Sequence, residues 1–328
     1  MLSREIHLAT VPDGLPRPEH FALVDRPMPV AGHEEVLVRN RFFQVSARLR
    51  TLLSNAVADT PLPSVRPGEP IPSATIGEIV TAPDGAGLSA GDLVFHWSGW
   101  REYAAVPATA VTPVDNTLPD PVAHLGSGWT AYAALTRYGK LRPGETALIT
   151  AGAGGVGSLA GQFARQLGAG RVIGTTGSPA KAERMRAEFG YDTVLPRDEA
   201  IAADVIVDNV GGGQLTAAIA AARPGARIVL VGALAGQLSP DGHGKTAPVE
   251  VDNYQLILKG ISINGFADPG DPEARAQWLR RFGAWLRSGE VTFPHVRVVG
   301  IERAPEALHE VIAGRHAGTV VVQVEGSG

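Results

Sequence analysis

The amino-acid sequence predicts an α/β protein whose larger part is a doubly wound parallel sheet. Two observations predict this fold class: apolar strands alternate with helices between positions 146 and 234, and a glycine-rich turn joins the first strand to the first helix. Strands that alternate with helices of roughly 10 to 15 residues are typical of parallel βαβ units. The alternative is a flavodoxin-like or other α/β domain in which the glycine turn is incidental.

The predicted strands and helices follow one another at short intervals after Thr146. The first strand, the turn and the first helix lie in T-A-L-I-T-A-G-A-G-G-V-G-S-L-A-G-Q-F-A-R-Q-L-G, which ends at Gly168. The later elements are predicted as a strand at 171–176, a helix at about 179–189, a strand at 204–210, a helix at about 214–222 and a strand at 227–234. This order is that of a Rossmann domain.

The glycine turn carries the pattern G-x-G-x-x-G at Gly152, Gly154 and Gly157. The first glycine permits a tight turn, the second lets the backbone approach a pyrophosphate, and the third lets helix and strand pack closely. A phosphate bound there also lies at a helix N-terminus, where N–H groups and the helix dipole favour negative charge. The turn, which includes Gly155 and Val156, is therefore predicted to bind a dinucleotide.

The end of the second strand indicates which dinucleotide is bound. An NAD-binding domain is expected to place a carboxylate about 20 residues after the glycines, where it binds the ribose 2′-hydroxyl. This chain instead has Thr176 and Ser178 there, with Lys181 one helical turn further on. A hydroxyl and an ammonium group suit a 2′-phosphate, so NADPH is predicted. The alternative is that Ser178 only caps the helix that begins at Pro179.

Composition sets the outer bounds on function. At 328 residues, with 44% hydrophobic and 19% charged, the chain is an ordinary globular protein of about two domains. Its net charge of −4 gives no basic face for nucleic acid. Because neither a signal peptide nor a run of roughly 18 apolar residues occurs, we expect a cytoplasmic protein that does not enter membranes. Without cysteine, disulfides, a catalytic thiol and cysteine-ligated zinc are excluded.

Several segments outside the glycine turn resemble one zinc-free branch of the medium-chain dehydrogenase/reductase superfamily, the alkenal double-bond reductases. That branch includes the prostaglandin, leukotriene and curcumin reductases. The segments that carry the resemblance are P-M-P-V-A-G-H-E-E-V-L-V-R-N (27–40), S-A-G-D-L-V-F-H-W-S-G-W-R-E-Y-A (89–104), G-W-T-A-Y-A-A-L (128–135), V-D-N-V-G-G (207–212), I-L-K-G-I-S-I-N-G-F (257–266) and A-P-E-A-L-H-E-V-I-A-G-R-H-A-G-T-V-V-V (304–322).

One motif points away from this branch. Gly32-His33-Glu34 mimics the G-H-E zinc motif of the alcohol dehydrogenases, but the stretch that matches that motif by position, 73–80, contains no histidine. We therefore interpret His33 as a surface turn residue and the protein as zinc-independent.

The resemblance implies a two-domain architecture. A GroES-like, barrel-type catalytic domain would occupy 1–122, a Rossmann domain 123–289, and the chain would return to the catalytic domain over 290–328. Relatives pair the edge strand of the Rossmann sheet across a two-fold axis, and 261–267 resembles that strand, which implies a homodimer. The flexible-looking segment 236–248 follows a Rossmann strand, where a substrate lid would lie.

The chemistry that the resemblance implies is conjugate reduction without a metal. NADPH passes a hydride to the β-carbon of an α,β-unsaturated carbonyl, and negative charge builds on the carbonyl oxygen. The protein orients the reactants and stabilises this enolate with hydrogen-bond donors.

The cofactor residues of the family carry over well. Lys181 matches the lysine that binds the 2′-phosphate, and Arg197 takes the place of a tyrosine that often assists it; a guanidinium can bind two phosphate oxygens at once. Further positions match residues along the path of the cofactor: Thr130, Asn209, Gly232, Phe266 and His316. A buried core aromatic is an equally good interpretation of Phe266.

The catalytic residues carry over poorly. The stretch F-Q-V-S-A-R-L-R at 43–50 keeps Arg50 of the family's L-S-V-D-P-Y-M-R, but Arg48 replaces its tyrosine. Gln237 stands where relatives have the tyrosine assigned as enolate donor, and glutamine cannot deliver a proton. His316 replaces an asparagine near the nicotinamide.

Other residues of the chain are candidates for the roles of the replaced catalytic residues. His316 and Tyr254 are the candidate proton donors, although a lone histidine is more often structural. Trp97 and Trp100, in H-W-S-G-W, are predicted to line the substrate side, with core packing as the alternative.

Three functions follow from this pattern. The first is an NADPH-dependent reductase of a conjugated double bond in a small enone. The second is a reductive cyclase, in which hydride addition to a polyene leaves a carbanion that closes a ring. The third is a non-catalytic NADPH-binding sensor that lost the enolate donor.

Overall fold

The computed structural model describes four stretches of the chain: 1–54, 64–239, 246–268 and 270–325. Contacts divide the chain into two units. Unit 1 consists of residues 1–126 and 295–328, and unit 2 of residues 127–294.

The described residues form the following strands, in chain order: β1 (Leu2–Leu8), β2 (Phe21–Pro27), β3 (Glu35–Val45), β4 (Thr75–Thr81), β5 (Leu93–His96), β6 (Tyr103–Pro107), β7 (Thr112–Pro113), β8 (Thr146–Ile149), β9 (Arg171–Thr175), β10 (Thr193–Leu195), β11 (Val205–Asp208), β12 (Arg227–Leu230), β13 (Ser262–Gly265), β14 (His295–Val299) and β15 (Thr319–Gln323). They form the following helices: α1 (Leu49–Leu52), α2 (Gly128–Ala133), α3 (Gly157–Gln166), α4 (Pro179–Glu188), α5 (Gly212–Ala221), α6 (Leu234–Gln237), α7 (Asn253–Lys259), α8 (Pro272–Ser288) and α9 (Ala304–Ile312). A π-helix, Ala134–Tyr138, continues α2.

Unit 1 is built mainly from antiparallel strands. Its larger sheet has the order β14-β15-β3-β4-β5-β7, and β6 also pairs with β3. β1 and β2 form a separate antiparallel pair. β15 pairs antiparallel with β3, so strands from both ends of the sequence share one sheet.

The core of unit 1 surrounds Trp100. Its ring stacks on Phe21 and Phe43, at centroid distances of 5.6 and 5.7 Å, and the side chain is 0% exposed. The prediction that Trp100 lines the substrate side is therefore wrong, and the alternative of core packing is correct. A bulky aromatic residue gains most of its stabilisation from complete burial against other rings.

Unit 2 is built around one parallel sheet with the order β10-β9-β8-β11-β12-β13. All of its strand pairs are parallel, and helices connect successive strands except β10 and β11. The predicted doubly wound sheet is confirmed. The order reverses between β8 and β11, and ligands of such sheets bind beside the carboxyl ends of the strands at this reversal.

The elements of unit 2 differ from the sequence prediction in several details. β10 was not predicted, because three residues carry too little periodicity to identify a strand. The strand predicted at 227–234 ends at Leu230, where the chain turns so that Gly232 can approach the β11 loop. Helix α5 begins at Gly212 rather than 214, directly after Gly211, whose φ of 73° is accessible to glycine.

Candidate functional site

The glycine turn is packed too closely for any other residue at two of its positions. A Cβ on Gly157 would lie 2.6 Å from the Cα of Gly152, so the start of α3 rests directly on the turn. A Cβ on Gly152 would lie 2.9 Å from the hydroxyl of Tyr191. At Gly154 the nearest atom is the carbonyl oxygen of Ala151, 3.3 Å from the Cβ position. The turn is thus closed toward the sheet and more open at its middle glycine.

The middle of the turn is also its accessible part. Gly154, Gly155 and Val156 are partly exposed and directly precede the first residue of α3. The first N–H groups of a helix have no acceptor within the helix, and its dipole attracts anions. The residues present therefore fit a pyrophosphate at this position.

Strand β9 and a buried phenol hold the turn in place. The N–H of Ala151 donates to Thr175 Oγ1 at 3.2 Å, and that of Gly152 donates to the Thr175 carbonyl at 3.0 Å. The hydroxyl of Tyr191 donates to the carbonyl oxygen of Gly157 at 2.7 Å, and burial raises the pKa of this phenol. Sequence reasoning missed Tyr191. The available signal was a set of glycines whose Cβ positions its ring approaches: Gly152, Gly161 and Gly174.

Two cationic side chains and two hydroxyl groups lie close together beyond the ends of β9 and β10. The Oγ of Ser178 accepts the backbone N–H of Lys181 at 3.4 Å, which confirms Ser178 as the N-cap of α4. The guanidinium of Arg197 lies against Gly177, with its Cζ 2.7 Å from the Cβ position of that glycine. Thr176 begins the same loop, and its Oγ1 accepts the N–H of Ser178 at 3.3 Å.

The charges of this loop favour an anion. Burial lowers the pKa of Lys181, and the nearby positive charge of Arg197 lowers it further. Two positive charges so close together attract an anion to this loop. A 2′-phosphate is a compact anion that would relieve the repulsion between them, so the loop fits NADPH.

The loops after β11 and β12 complete this edge of the sheet. The backbone N–H of Asn209 donates to Thr150 Oγ1, and its Nδ2 donates to the Thr150 carbonyl, both at 2.8 Å. Thr150 Oγ1 in turn donates to Asp208, whose pKa is raised by burial. A Cβ on Gly232 would lie 2.7 Å from the Asn209 carbonyl. Asn209 and Gly232 are thus fixed beside the glycine turn.

The remaining predicted residues of unit 2 occupy less enclosed positions. Thr130 is half-buried in α2, and Gln237 is the half-buried last residue of α6. Phe266 follows β13 and is half-buried, with its ring 5.2 Å from that of Tyr138. Tyr254 lies on α7 and is 63% exposed, so its phenol reaches solvent rather than an enclosed pocket. Of the predicted flexible segment 236–248, residues 240–245 lie outside the described residues.

Within unit 1 the structure brings two predicted site residues together. The Cζ of Arg48, just before α1, lies 5.3 Å from the ring centroid of Trp97, just after β5. Trp97 is 51% exposed, so its ring forms a surface rather than part of the core. Arg50 lies on α1 and is 1% exposed, and burial lowers the pKa of both guanidinium groups.

His316 is paired with a carboxylate that sequence reasoning missed. Its Nε2 lies 2.8 Å from Oε2 of Glu310, which is on α9. A carboxylate on one ring nitrogen fixes the orientation of an imidazole. The only sequence signal was the spacing of the two residues across the end of a predicted helix.

Sequence reasoning also missed His96, the last residue of β5. The side chain is 0% exposed, and its Nδ1 accepts the N–H of Ser98 at 3.1 Å. Burial, assisted by the positive charge of Arg101, lowers the pKa of His96 to about 4. The ring is therefore neutral at pH 7 and holds the loop that contains Trp97. The inward position of Val94, two residues earlier, was the available signal.

Among the described residues, no group of three or more His, Asp or Glu side chains is arranged to hold a metal ion. His33 lies in an exposed turn, as predicted. Over the same residues, no helix is long and apolar enough to cross a membrane.

Comparison with known proteins places the chain among reductases. The family model described as the N-terminal domain of oxidoreductase matches residues 4–114, and the model described as zinc-binding dehydrogenase matches residues 155–283. Prostaglandin reductase-3 of Mus musculus is 30% identical, over 92% of this chain and 84% of its own. (+)-Pulegone reductase of Mentha piperita is 31% identical, over 88% and 87%. The crystal structure of CurA from Vibrio vulnificus in complex with NADPH has a TM-score of 0.87 and 27% identity, covering 98% of this chain and 99% of CurA.

The fold and the cofactor site define an NADPH-dependent oxidoreductase with a GroES-like part and a Rossmann sheet, as the sequence predicted. The chain belongs to the zinc-independent medium-chain dehydrogenase/reductase family, in the branch of the NADP-dependent alkenal and prostaglandin reductases. The predicted resemblance and the predicted cofactor are both confirmed.

Proposed function

We propose that the protein reduces the carbon–carbon double bond of an α,β-unsaturated ketone or aldehyde, at the expense of NADPH. The observation that carries the proposal is a cofactor site that fits NADPH in a chain related, over most of its length, to prostaglandin and pulegone reductases. The departures from the family pattern at Arg48, Gln237 and His316 concern the substrate and the proton, not the cofactor.

The chain binds the cofactor from the carboxyl ends of neighbouring strands. In this proposal the glycine turn binds the pyrophosphate, and the 2′-phosphate is bound by Ser178 and Lys181, after β9, and by Arg197, after β10. Asn209 and Gly232 border the same edge, where close packing leaves little freedom to rearrange. Bound NADPH would supply a hydride from its nicotinamide ring for the β-carbon of the substrate.

The remaining task of the protein is to stabilise charge on the substrate's carbonyl oxygen and to supply a proton. A preorganised donor to such an oxygen contributes roughly 3 to 4 kcal/mol. His316 is our proposed donor, because Glu310 contacts its Nε2 and fixes the orientation of the ring. Gln237 can add a hydrogen bond but no proton.

The test of the proposed function uses the purified protein, NADPH and the simple enone 1-nonen-3-one. We expect loss of NADPH absorbance and a saturated ketone, and cofactor carrying deuterium on the transferred position should label the β-carbon. A conjugated polyene that yields a cyclised, singly labelled product, with no turnover of the enone, would favour the reductive cyclase instead. NADPH binding without turnover of either compound would favour the sensor.

We also propose that the protein is a homodimer. Strand β13 is at the edge of the unit 2 sheet, where it pairs with β12 on one side. An edge strand presents backbone donors and acceptors that a second copy can satisfy. A monomeric mass by light scattering at micromolar concentration would contradict this arrangement.

A further inference from the structure

Arg48 and Trp97 form a cationic surface that we call the Arg48–Trp97 platform. The guanidinium Cζ lies 5.3 Å from the indole centroid, within the range of a cation–π contact. Each residue is next to an ordered element, Arg48 at the N-cap of α1 and Trp97 directly after β5. The hydrogen bond from the N–H of Ser98 to His96 fixes the loop that carries the indole. The platform is therefore positioned before any ligand binds.

Among the described residues, Arg48 forms no ion pair with a carboxylate, and burial alone accounts for its lowered pKa. Three other arginines that contact rings do have such partners: Arg275, Arg297 and Arg184 form ion pairs with Asp268, Asp120 and Glu188, respectively. A fourth, Arg281, lies over the ring of Trp285 and donates to the hydroxyl of Tyr132.

We propose that the enone substrate carries a carboxylate, which Arg48 binds while the indole of Trp97 packs against the adjoining carbon chain. A guanidinium can bind both oxygens of a carboxylate along its edge while its face remains on an aromatic ring. The exposed indole offers apolar surface to methylene groups. The inference rests on the proposed function, because it assigns the class of substrate for the same reaction.

The test compares 8-oxodec-9-enoic acid with its methyl ester as substrates of the whole enzyme. The two enones are equal in reactivity and differ in the charge at the far end. A charge-assisted hydrogen bond of about 1.5 to 3 kcal/mol predicts that kcat/KM for the acid exceeds that for the ester by roughly ten- to a hundredfold. Arg48→Gln should bring this ratio close to one, and Arg48→Lys should leave an intermediate ratio. Added salt should lower the wild-type ratio.

Arg297→Gln is the matched control, because Arg297 also lies over a ring, at 5.3 Å from the centroid of Phe42, but is paired with Asp120. It should leave the acid-to-ester ratio unchanged. A wild-type ratio near one, with ready turnover of both compounds, would overturn this inference and leave the proposed function standing. A high ratio that Arg48→Lys and Arg48→Gln both preserve would also overturn it. Failure of acid, ester and 1-nonen-3-one alike would overturn the proposed function and this inference with it.

Discussion

The cofactor end of unit 2 and the Arg48–Trp97 platform of unit 1 are built in different ways. The cofactor end is defined by backbone: Gly157 and Gly232 allow chain segments to approach so closely that a methyl group would clash. The platform is defined by long side chains on the ends of α1 and β5, which can be exchanged without moving a strand. A site made by backbone constrains its own sequence strongly, whereas a site made by side chains can change its ligand while the fold persists.

The largest expected effect follows from placing a methyl group in the backbone-defined site. In Gly157→Ala the new Cβ would lie 2.6 Å from the Cα of Gly152, so α3 or the turn must shift. We expect the free energy of unfolding to fall by about 2–4 kcal/mol and NADPH binding to be lost. Denaturant unfolding and fluorescence titration measure the two effects. Gly213→Ala is the control, since no atom lies within 4 Å of its Cβ position. Equal stability of the two variants would refute the steric argument.

The second prediction concerns the buried imidazole under the side-chain-defined site. The pKa of His96 is about 4 in the folded protein, below the ordinary value of 6.5, so the unfolded chain takes up the proton more readily. Stability should therefore fall as the pH is lowered from 6.5 to about 4, by on the order of 3 kcal/mol. His96→Gln should flatten this dependence in denaturant unfolding, and His33→Gln, in an exposed turn, should not. A slope that survives His96→Gln would assign the titration to other groups.

The third prediction distinguishes the role of Lys181 and Arg197 in cofactor binding from that of the glycine turn. Lys181→Ala and Arg197→Ala should each raise the Kd for NADPH by roughly tenfold or more, because each removes a charge-assisted bond of about 1.5 to 3 kcal/mol. NADH, which lacks the 2′-phosphate, should bind almost as before. Arg280→Ala, on the exposed side of α8, serves as control in the same titrations. Equal losses for the two cofactors would contradict the assignment of this loop.

The smallest effect is expected at His316, in unit 1. His316→Ala should lower kcat by about tenfold, with little change in NADPH affinity, since a general acid acts mainly in the transition state. Glu310→Gln should lower kcat less, because the imidazole remains while its carboxylate partner is lost. His309→Ala, on the same helix, controls for local disturbance. Unchanged turnover in His316→Ala would exclude it as the proton donor.

The contrast between a site defined by backbone and a site defined by side chains also explains which features could be predicted from the sequence. The alternation of strands and helices and the spacing of Gly152, Gly154 and Gly157 predicted the sheet and the turn, because periodicity and glycine report directly on backbone geometry. The placement of Trp100 was wrong, since an indole after a strand suits a pocket and a core equally. Its burial depends on Phe21 and Phe43, which are distant in sequence.

Contacts between side chains could not be predicted from the sequence, for a related reason. Nothing local in F-Q-V-S-A-R-L-R indicates that Arg48 will lie over Trp97, because the register that brings them together runs from β3 through β4 to β5. Strand pairings of this kind are set by the whole sheet. The positions of Lys181 and Arg197, by contrast, followed from two neighbouring segments, one after β9 and one after β10.

The pairing of β15 with β3 bears on how the protein is made. Unit 2 is one continuous stretch of chain and can fold as soon as it leaves the ribosome. Over Phe42–Val45, however, one edge of β3 gains its partner only when β15, which follows unit 2 in the sequence, has been synthesised. Until then this short edge is open to strands of other nascent chains. Residues translated after unit 2 therefore protect the sheet of unit 1 from aggregation, and translation stalled before Thr319 would leave that edge exposed.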